Sequence, residues 1–251
     1  MAGKKREKVR DEDVTGLKYF GKLQPMMSVD IHPIKLGVDC CYVIRGDGAI
    51  MIDAGPPCQA ARFRKAMETL QLDPRSIRLI VITHGHWDHI GSAKDIKEIT
   101  GAKIAMHERE KDWLEKSLKP LPPAVTAWGR VFSGIMTIFL PLIHFPATNV
   151  DLVLGDGGLS LAEYGIPGRI LHTPGHSMGS VSVLLETGDA FVGDLAMSAF
   201  PLRLSPGLPI FAESLQSVKQ SWRLLLEQGA KTVYPAHGKP FPADIIRRAV
   251  L

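Results

Sequence analysis

The first apolar runs of the chain have the length of β-strands, and helical spacing appears only after them. Runs at residues 27–34, 39–45 and 49–53 are separated by glycine-containing turns, which is typical of an antiparallel meander. Residues 62–70 have the spacing of a helix, and residues 77–83 have the composition of another strand. The opening of the chain therefore predicts a meander, a helix and a returning strand.

The strand predicted at 77–83 is apolar without interruption over residues 79–82, which indicates burial on both faces. A helix at 90–100 and a strand at 103–106 follow it. The later half of the chain is predicted to contain strands at 159–164, 169–172, 180–186 and 190–192, a helix at 214–227 and a strand at 232–234. Two halves, each a sheet followed by helices, predict an α/β (α+β) protein built as a four-layer αββα sandwich.

Between the two halves lies a segment of different character, residues 110–148. It combines a charged helix around Trp113, a proline-rich stretch at 119–123 and an apolar, helix-like run at 131–140. We expect it to be a lid-like insertion in a single domain that covers residues 15–251. Its longest apolar stretch is shorter than the roughly 18–20 residues that cross a bilayer, so no transmembrane segment is predicted.

The distribution of charge adds one feature to the predicted fold, a basic segment at the beginning of the chain. Much of the net charge of +4 comes from five basic residues within residues 1–10, and we expect residues 1–14 to be a disordered or extended tail. Acidic residues follow these charges where a secretory signal would be apolar, which favours a cytoplasmic location. A modest positive charge gives little support to a nucleic-acid partner, so a small-molecule substrate is expected.

Candidate chemistry begins where the buried strand ends, in the run Thr-His-Gly-His-Trp-Asp-His. It places His84, His86, Asp88 and His89 within six consecutive residues. Imidazole nitrogens and carboxylate oxygens are ligands of zinc, iron and manganese. Because alternate residues of a tight turn point to one side, His84 and His86 are expected to reach one metal, and Asp88 and His89 a second.

Three later residues of ligand type also follow predicted strands. They are His176 in His-Thr-Pro-Gly-His-Ser, Asp194 in Phe-Val-Gly-Asp and His237 in Tyr-Pro-Ala-His-Gly. Each is flanked by glycine or proline, which lets a loop turn tightly and direct a side chain over the edge of the sheet.

On these motifs, the chain resembles the metallo-β-lactamase fold superfamily from about residue 27 to its C-terminus. The resemblance implies a first metal held by His84, His86 and His176, a second held by Asp88, His89 and His237, and Asp194 bridging the two. It also implies that Asp53, in Ile-Asp-Ala-Gly, supports the site without binding metal.

Two divalent cations, expected to be zinc with iron and manganese as alternatives, imply hydrolysis. Cations about 3.5–4 Å apart lower the pKa of a bridging water toward 7 and supply hydroxide at neutral pH. Asp88 and Asp194 are the expected catalytic carboxylates, and Asp88 is also a candidate to orient the nucleophile or relay a proton.

The resemblance narrows the expected substrate. An aspartate at position 194 resembles the thioester-hydrolase, lactonase and phosphodiesterase branches, whereas β-lactamases of this fold generally carry another residue there. The motifs around His176 and Asp194 are similar to glyoxalase II-like proteins, but we expect no glutathione-binding helical domain after His237. A small ester-like substrate, a thioester or a lactone with an apolar portion, is therefore expected.

Two enzymatic alternatives stay open: a phosphodiester or phosphotriester hydrolase, and a mononuclear-iron oxidoreductase acting on a thiol derivative. Phe200, Leu202 and Phe211 are candidates for the substrate pocket. The apolar segments 121–148 and 200–211 that would shape it could instead pack on each other, form a homodimer contact or touch a membrane. The remaining histidines, His32, His107, His144 and His172, are interpreted as structural or shaping residues.

Overall fold

The computed structural model describes residues 28–250, so the tail predicted at residues 1–14 lies outside the described part of the chain. The first sheet has six strands, in spatial order β1 (Asp30–Leu36), β2 (Asp39–Arg45), β3 (Ala49–Ile52), β4 (Ile77–Val81), β5 (Lys103–His107) and β6 (Leu152–Leu154). The first three strands pair antiparallel, which confirms the predicted meander, and the next three join in parallel.

The second sheet also has six strands: β7 (Leu159–Ser160), β8 (Gly168–His172), β9 (Val181–Leu185), β10 (Asp189–Gly193), β11 (Thr232–Pro235) and β12 (Phe241–Pro242). They lie in sequence order across the sheet, and only the β10–β11 pair is parallel. The α-helices are α1 (Ala60–Thr69), α2 (Trp87–Ile90), α3 (Ala93–Thr100), α4 (Lys111–Glu115), α5 (Ala127–Phe139), α6 (Leu215–Glu227) and α7 (Asp244–Val250).

Alternating side chains of the strands build the layers of the protein. In β3, Ile50 faces the core between the sheets, whereas Met51 faces the core that contains Phe63 of α1. In β10, Phe191 faces the core between the sheets, and Val192 faces the core that contains Trp222 of α6. Because successive side chains of a strand point to opposite faces, both sheets are buried on two sides, and the predicted αββα sandwich is confirmed.

Two predicted elements differ from the structure. The helix predicted at 90–100 is divided into α2 and α3 at Ser92, whose hydroxyl donates to the Pro56 carbonyl and accepts from the Gln59 N–H. The strand predicted at 159–164 is only two residues long, because the chain turns into a 3₁₀ helix (Ala162–Tyr164) that ends at Gly165 with φ +72°. The short strands β6 and β12 and the helix α7 were not predicted.

Across residues 28–250, every helix is too short or too polar to cross a bilayer.

Candidate metal centre

The ligand-type residues predicted from the sequence lie in loops that follow the carboxyl ends of strands. His84 follows β4, His176 follows β8, Asp194 follows β10 and His237 follows β11. The loops come from both sheets, so the site forms at the edge where the two sheets meet. The structure brings together all seven of the candidate ligands: six form the two groups described below, and Asp194 lies between these groups.

His84, His86 and His176 form the first group, with nitrogen atoms that lie within 4.8 Å of one another. All three side chains are buried. The Nδ1 atom of His176 is 2.9 Å from the carbonyl oxygen of Phe211, so this nitrogen donates a hydrogen and leaves Nε2 directed at the centre. The His86 ring stacks on Trp113, with 5.6 Å between the ring centroids. These contacts fix the orientation of two of the three imidazoles.

The second group contains Asp88, His89 and His237. The Nε2 atom of His237 lies 3.5 Å from an Asp88 oxygen, while its Nδ1 atom lies 3.0 Å from Oδ1 of Asp39. On the other side, Nδ1 of His89 lies 2.9 Å from Oδ2 of Asp53. Each histidine therefore has a carboxylate behind it and directs its second nitrogen inward, which is the arrangement that orients metal-binding imidazoles.

Asp53 behaves in the structure as a supporting residue. Its carboxylate accepts the Thr83 N–H and the Thr83 hydroxyl in addition to its contact with His89. Its backbone has φ +58°, an unusual conformation for a residue other than glycine. Asp39, by contrast, was not a candidate in the sequence, because nothing in its local motif links it to a histidine almost two hundred residues later.

Asp194 lies between the two groups, and its two oxygens face different partners. Oδ2 is 3.7 Å from Nε2 of His176, whereas Oδ1 is 3.6 Å from Nε2 of His89 and 3.4 Å from Nε2 of His237. A carboxylate in this position can offer one oxygen to each of two cations.

Three buried polar atoms at this site lack hydrogen-bond partners in the described part of the chain, which shows whether the site suits cations. Nε2 of His84, Nε2 of His89 and Oδ1 of Asp194 have no hydrogen-bond partner among residues 28–250. A buried polar atom without a partner costs roughly 1–3 kcal/mol, and these three atoms converge on one centre. Imidazole and carboxylate donors of this kind suit divalent cations, so the residues fit a metal centre.

The electrostatics differ between the two groups. Burial lowers the pKa of His84 and His176, and it lowers the pKa of His86 to about 3. These imidazoles are neutral at pH 7, the form that binds metal. In the second group, burial opposes protonation, but neighbouring carboxylates outweigh it and hold the pKa values of His89 and His237 well above the usual value.

The carboxylates of the centre respond to the same charges. Burial alone would raise the pKa of Asp194, yet His237 and His89 hold it well below its usual range. Burial also opposes ionisation of Asp88, and His237 again reverses the effect and lowers the pKa of that carboxyl. The carboxylates of Asp88 and Asp194 are therefore both ionised at neutral pH.

Glu110 is a functional candidate that sequence analysis missed. This buried carboxylate accepts the Gly85 N–H at 2.6 Å and the Gly179 N–H at 2.7 Å. Gly85 lies between His84 and His86, and Gly179 lies in the loop of His176. Glu110 thus connects the two loops that carry the first group. A Cβ atom on Gly179 would lie 2.7 Å from a Glu110 oxygen, so the contact requires glycine there.

A second histidine cluster lies behind the His176 loop. The rings of His107 and His172 stack with 4.3 Å between centroids, and both approach Oδ1 of Asp156, at 3.2 and 3.1 Å. Nε2 of His172 and the guanidinium of Arg109 both donate to the Met178 carbonyl. The cluster therefore positions the loop, consistent with the interpretation of His107 and His172 as structural and shaping residues.

A cavity of about 650 Å³ opens over the centre. His86, Asp88, His176, Asp194 and His237 form its polar floor. Its walls are mainly apolar and come from α5, from the proline-rich stretch 120–122 and from the loop after Asp194; the three predicted pocket residues Phe200, Leu202 and Phe211 are among them. The segment predicted as a lid thus supplies one wall of the cavity.

The sequence matches the profile of the Metallo-beta-lactamase superfamily over residues 36–237. The chain belongs to the metallo-β-lactamase superfamily. The resemblance predicted from the motifs is confirmed, together with its fold.

Two curated relatives in this superfamily have hydrolase names. A probable metallo-hydrolase of Bacillus subtilis is 28% identical over 61% of this chain and 64% of its own length. A hydroxyacylglutathione hydrolase of Haemophilus influenzae is 30% identical over 67% of this chain and 72% of its own length. These matches support a metallo-hydrolase in general.

Solved structures of the metallo-β-lactamase superfamily agree with the fold. A superfamily protein from Sulfolobus tokodaii has a TM-score of 0.65 at 23% identity, covering 90% of this chain and 86% of its own. The B3 metallo-β-lactamase BLEG-1 has a TM-score of 0.64 at 22% identity, covering 86% of this chain and 95% of its own. At this level of identity the likeness concerns the fold alone.

Proposed function

We propose that this superfamily member is a dinuclear metal-dependent hydrolase of a small ester-like substrate, a thioester or a lactone with an apolar portion. The observation that carries the proposal is the orientation of Asp194. One of its oxygens faces His176 of the first group, and the other faces His89 and His237 of the second. A bridging carboxylate is needed only if both groups hold a cation.

In this proposal, His84, His86 and His176 would hold the first cation, Asp88, His89 and His237 would hold the second, and Asp194 would contribute to both. When bound, two divalent cations would supply Lewis acidity and lower the pKa of a water between them toward neutrality. Asp88 belongs to the polar floor of the cavity, so its carboxylate can orient the attacking water and accept its proton. The Asp39 and Asp53 carboxylates hold His237 and His89 in the orientation that this arrangement needs.

The cavity supports the substrate class. Its volume of about 650 Å³ suits a small molecule. Phe132 and Met136 of α5 line the cavity together with Phe211 and Leu202, and the Phe132 and Phe211 ring centroids are 6.0 Å apart. An apolar acyl portion would therefore contact hydrocarbon and aromatic side chains. The ester-like group would then lie over the polar floor.

The test is elemental analysis of the purified protein combined with turnover of a panel of lactones, acyl thioesters and aryl phosphoesters. We expect about two equivalents of divalent metal, with zinc first among them, and turnover of lactones or thioesters. Faster turnover of a bis-aryl phosphate would favour the phosphodiesterase alternative. A single iron with oxygen consumption on a thiol substrate would favour the oxidoreductase alternative.

A pair of variants makes the site assignment specific. Asp194→Ala should lose metal and activity while far-UV circular dichroism stays unchanged. Asp47→Ala, which changes an exposed aspartate in the turn after β2, should keep both. Full activity in Asp194→Ala would show that the site assignment is wrong.

A further inference from the structure

The helix α5 is apolar on two sides, although it lies at the surface. Its inner face carries Phe132 and Met136, which line the cavity. Its outer face carries a second apolar stripe at helical spacing, and these side chains are about half exposed or more: Trp128, Val131, Ile135, Ile138 and, just after the helix, Leu142. A contiguous exposed apolar stripe of this kind marks an interaction surface.

The stripe continues onto the loop that follows Asp194. The indole N–H of Trp128 donates to the carbonyl oxygen of Pro201 at 2.7 Å, which fixes α5 against this loop. Beside it, the Phe200 side chain is 80% exposed. We call the stripe together with Phe200 the outer patch.

The outer patch borders the mouth of the cavity. Phe200 belongs to both, because it is exposed to solvent and also lines the cavity. Only the thickness of α5 separates Phe132 and Met136, inside the cavity, from Val131 and Ile135 outside it. Through Phe200, the outer patch is therefore continuous with the apolar wall of the cavity.

The charge around the outer patch is positive. Residues 116–150 and 195–212, which contain the whole patch, include no aspartate or glutamate, whereas Arg130 lies on α5 itself. The exposed charged side chains of the cavity rim are Lys35 and Lys239. A second copy of the chain docked face to face would bring these cations together, whereas an anionic lipid surface would neutralise them.

We propose that the outer patch binds the surface of an anionic membrane, and that the substrate is a lipophilic ester, thioester or lactone taken from that membrane into the cavity. The second half of this statement rests on the proposed hydrolase function, and the first half does not. Exposed aromatic and aliphatic side chains next to basic residues are the features of a segment that lies in the membrane interface. The helix would lie on the lipid with its outer stripe in the headgroup region.

The first experiment measures binding of the full-length protein to vesicles. Vesicles of phosphatidylcholine with one quarter phosphatidylglycerol should bind it, vesicles of phosphatidylcholine alone should bind it more weakly, and salt should weaken binding to the former. Ile138→Asp should lower the partition coefficient about tenfold or more. The Ile138 side chain is 72% exposed, so the change leaves the fold intact.

The matched control is Val153→Asp. It places the same charge on an exposed valine of the edge strand β6, outside the outer patch, and should leave vesicle binding unchanged. Equal loss in both variants, or no binding to anionic vesicles at all, overturns the proposal. A concentration-dependent dimer in sedimentation velocity that Ile138→Asp dissociates also overturns it, because the patch would then be a contact between copies.

The second experiment separates this inference from the proposed function. Turnover of a short, water-soluble lactone should be the same in the wild type and in Ile138→Asp, whereas turnover of a long-chain lactone dissolved in the anionic vesicles should fall about tenfold in the variant. Vesicle binding without any turnover would reject the hydrolase proposal and support the proposal that the outer patch binds a membrane. Turnover of the soluble lactone without vesicle binding would support the hydrolase proposal and reject the proposed membrane binding.

Discussion

The Nε2 atom of His176 lies 3.0 Å from the Nδ1 atom of His86, although 90 positions separate the two residues in the chain. Both rings are buried, and burial lowers the pKa of each of them. Because Nδ1 of His176 donates to the Phe211 carbonyl, Nε2 of His176 carries a lone pair, and this lone pair lies next to Nδ1 of His86 and the ring of His84. This arrangement is stabilised when a cation takes the shared position.

Replacement of His86 tests that position. His86→Ala should remove about one equivalent of bound metal and lower kcat/KM by on the order of a thousandfold, since metal catalysis supplies several kcal/mol of transition-state stabilisation. Elemental analysis and steady-state kinetics measure the two effects. His144→Ala changes an exposed histidine outside the centre and should behave as the wild type. Unchanged metal content in His86→Ala would contradict the assignment of the first group.

Metal uptake by the two groups should depend differently on pH. The first group is neutral at pH 7, so a cation there displaces few protons. The raised pKa values of His89 and His237 mean that the metal-free second group carries protons at neutral pH, and a cation must displace them. Affinity at the second group should therefore fall as the pH is lowered from 8 to 6, more steeply than at the first.

Calorimetric titration in buffers of different ionisation enthalpy measures this difference. We expect proton release of about one to two per protein for the weaker, pH-dependent binding step, and close to none for the other. Equal proton release in both steps would contradict the different protonation of the two groups.

Glu110 should act by positioning the loops of the first group. Glu110→Gln replaces one acceptor oxygen by an NH₂ group that faces a backbone N–H, which leaves a buried donor unpaired and should lower the free energy of unfolding by about 1–3 kcal/mol. The affinity for metal should fall roughly 10- to 100-fold, as for other residues that orient metal ligands. Chelator competition and thermal unfolding measure the two changes.

Excess metal distinguishes positioning from general destabilisation. Saturating zinc should restore most of the kcat of Glu110→Gln, while the unfolding free energy of its metal-free form stays low. Glu108→Gln changes an exposed glutamate two residues earlier and should leave both properties unchanged. Loss of kcat that no metal concentration restores would contradict the positioning role.

Asp39 should have the equivalent role for the second group. Asp39→Asn replaces the carboxyl group whose Oδ1 lies 3.0 Å from Nδ1 of His237, so metal affinity at the second group should fall about 10- to 100-fold while the first group is unaffected. Stepwise chelator titration resolves the two affinities. Asp30→Asn, at the exposed beginning of β1, serves as the control. Equal loss at both groups would mean that Asp39 acts on the fold instead.

Local sequence determined the chemistry of the candidate centre. The run from His84 to His89 combines several ligand-type side chains with a preceding buried strand, and the glycines and prolines beside His176, Asp194 and His237 indicate loops at strand ends. Both features depend on residues close together in the chain. The αββα layers also followed from strand and helix periodicity, since alternation and burial are properties of short segments.

Tertiary structure alone decided which groups support the ligands and which faces remain exposed. Asp39 meets His237, and Glu110 meets Gly179, because the two sheets pack against each other and bring their strand ends to one edge. Glu110 meets Gly85 because β4 and β5 are neighbours in the first sheet. Both faces of α5 carry apolar residues in the sequence, and packing over the cavity covers one of them in part and leaves the other exposed to solvent. These contacts join residues that are far apart in the chain, and a local pattern of side chains does not predict which distant residues come together.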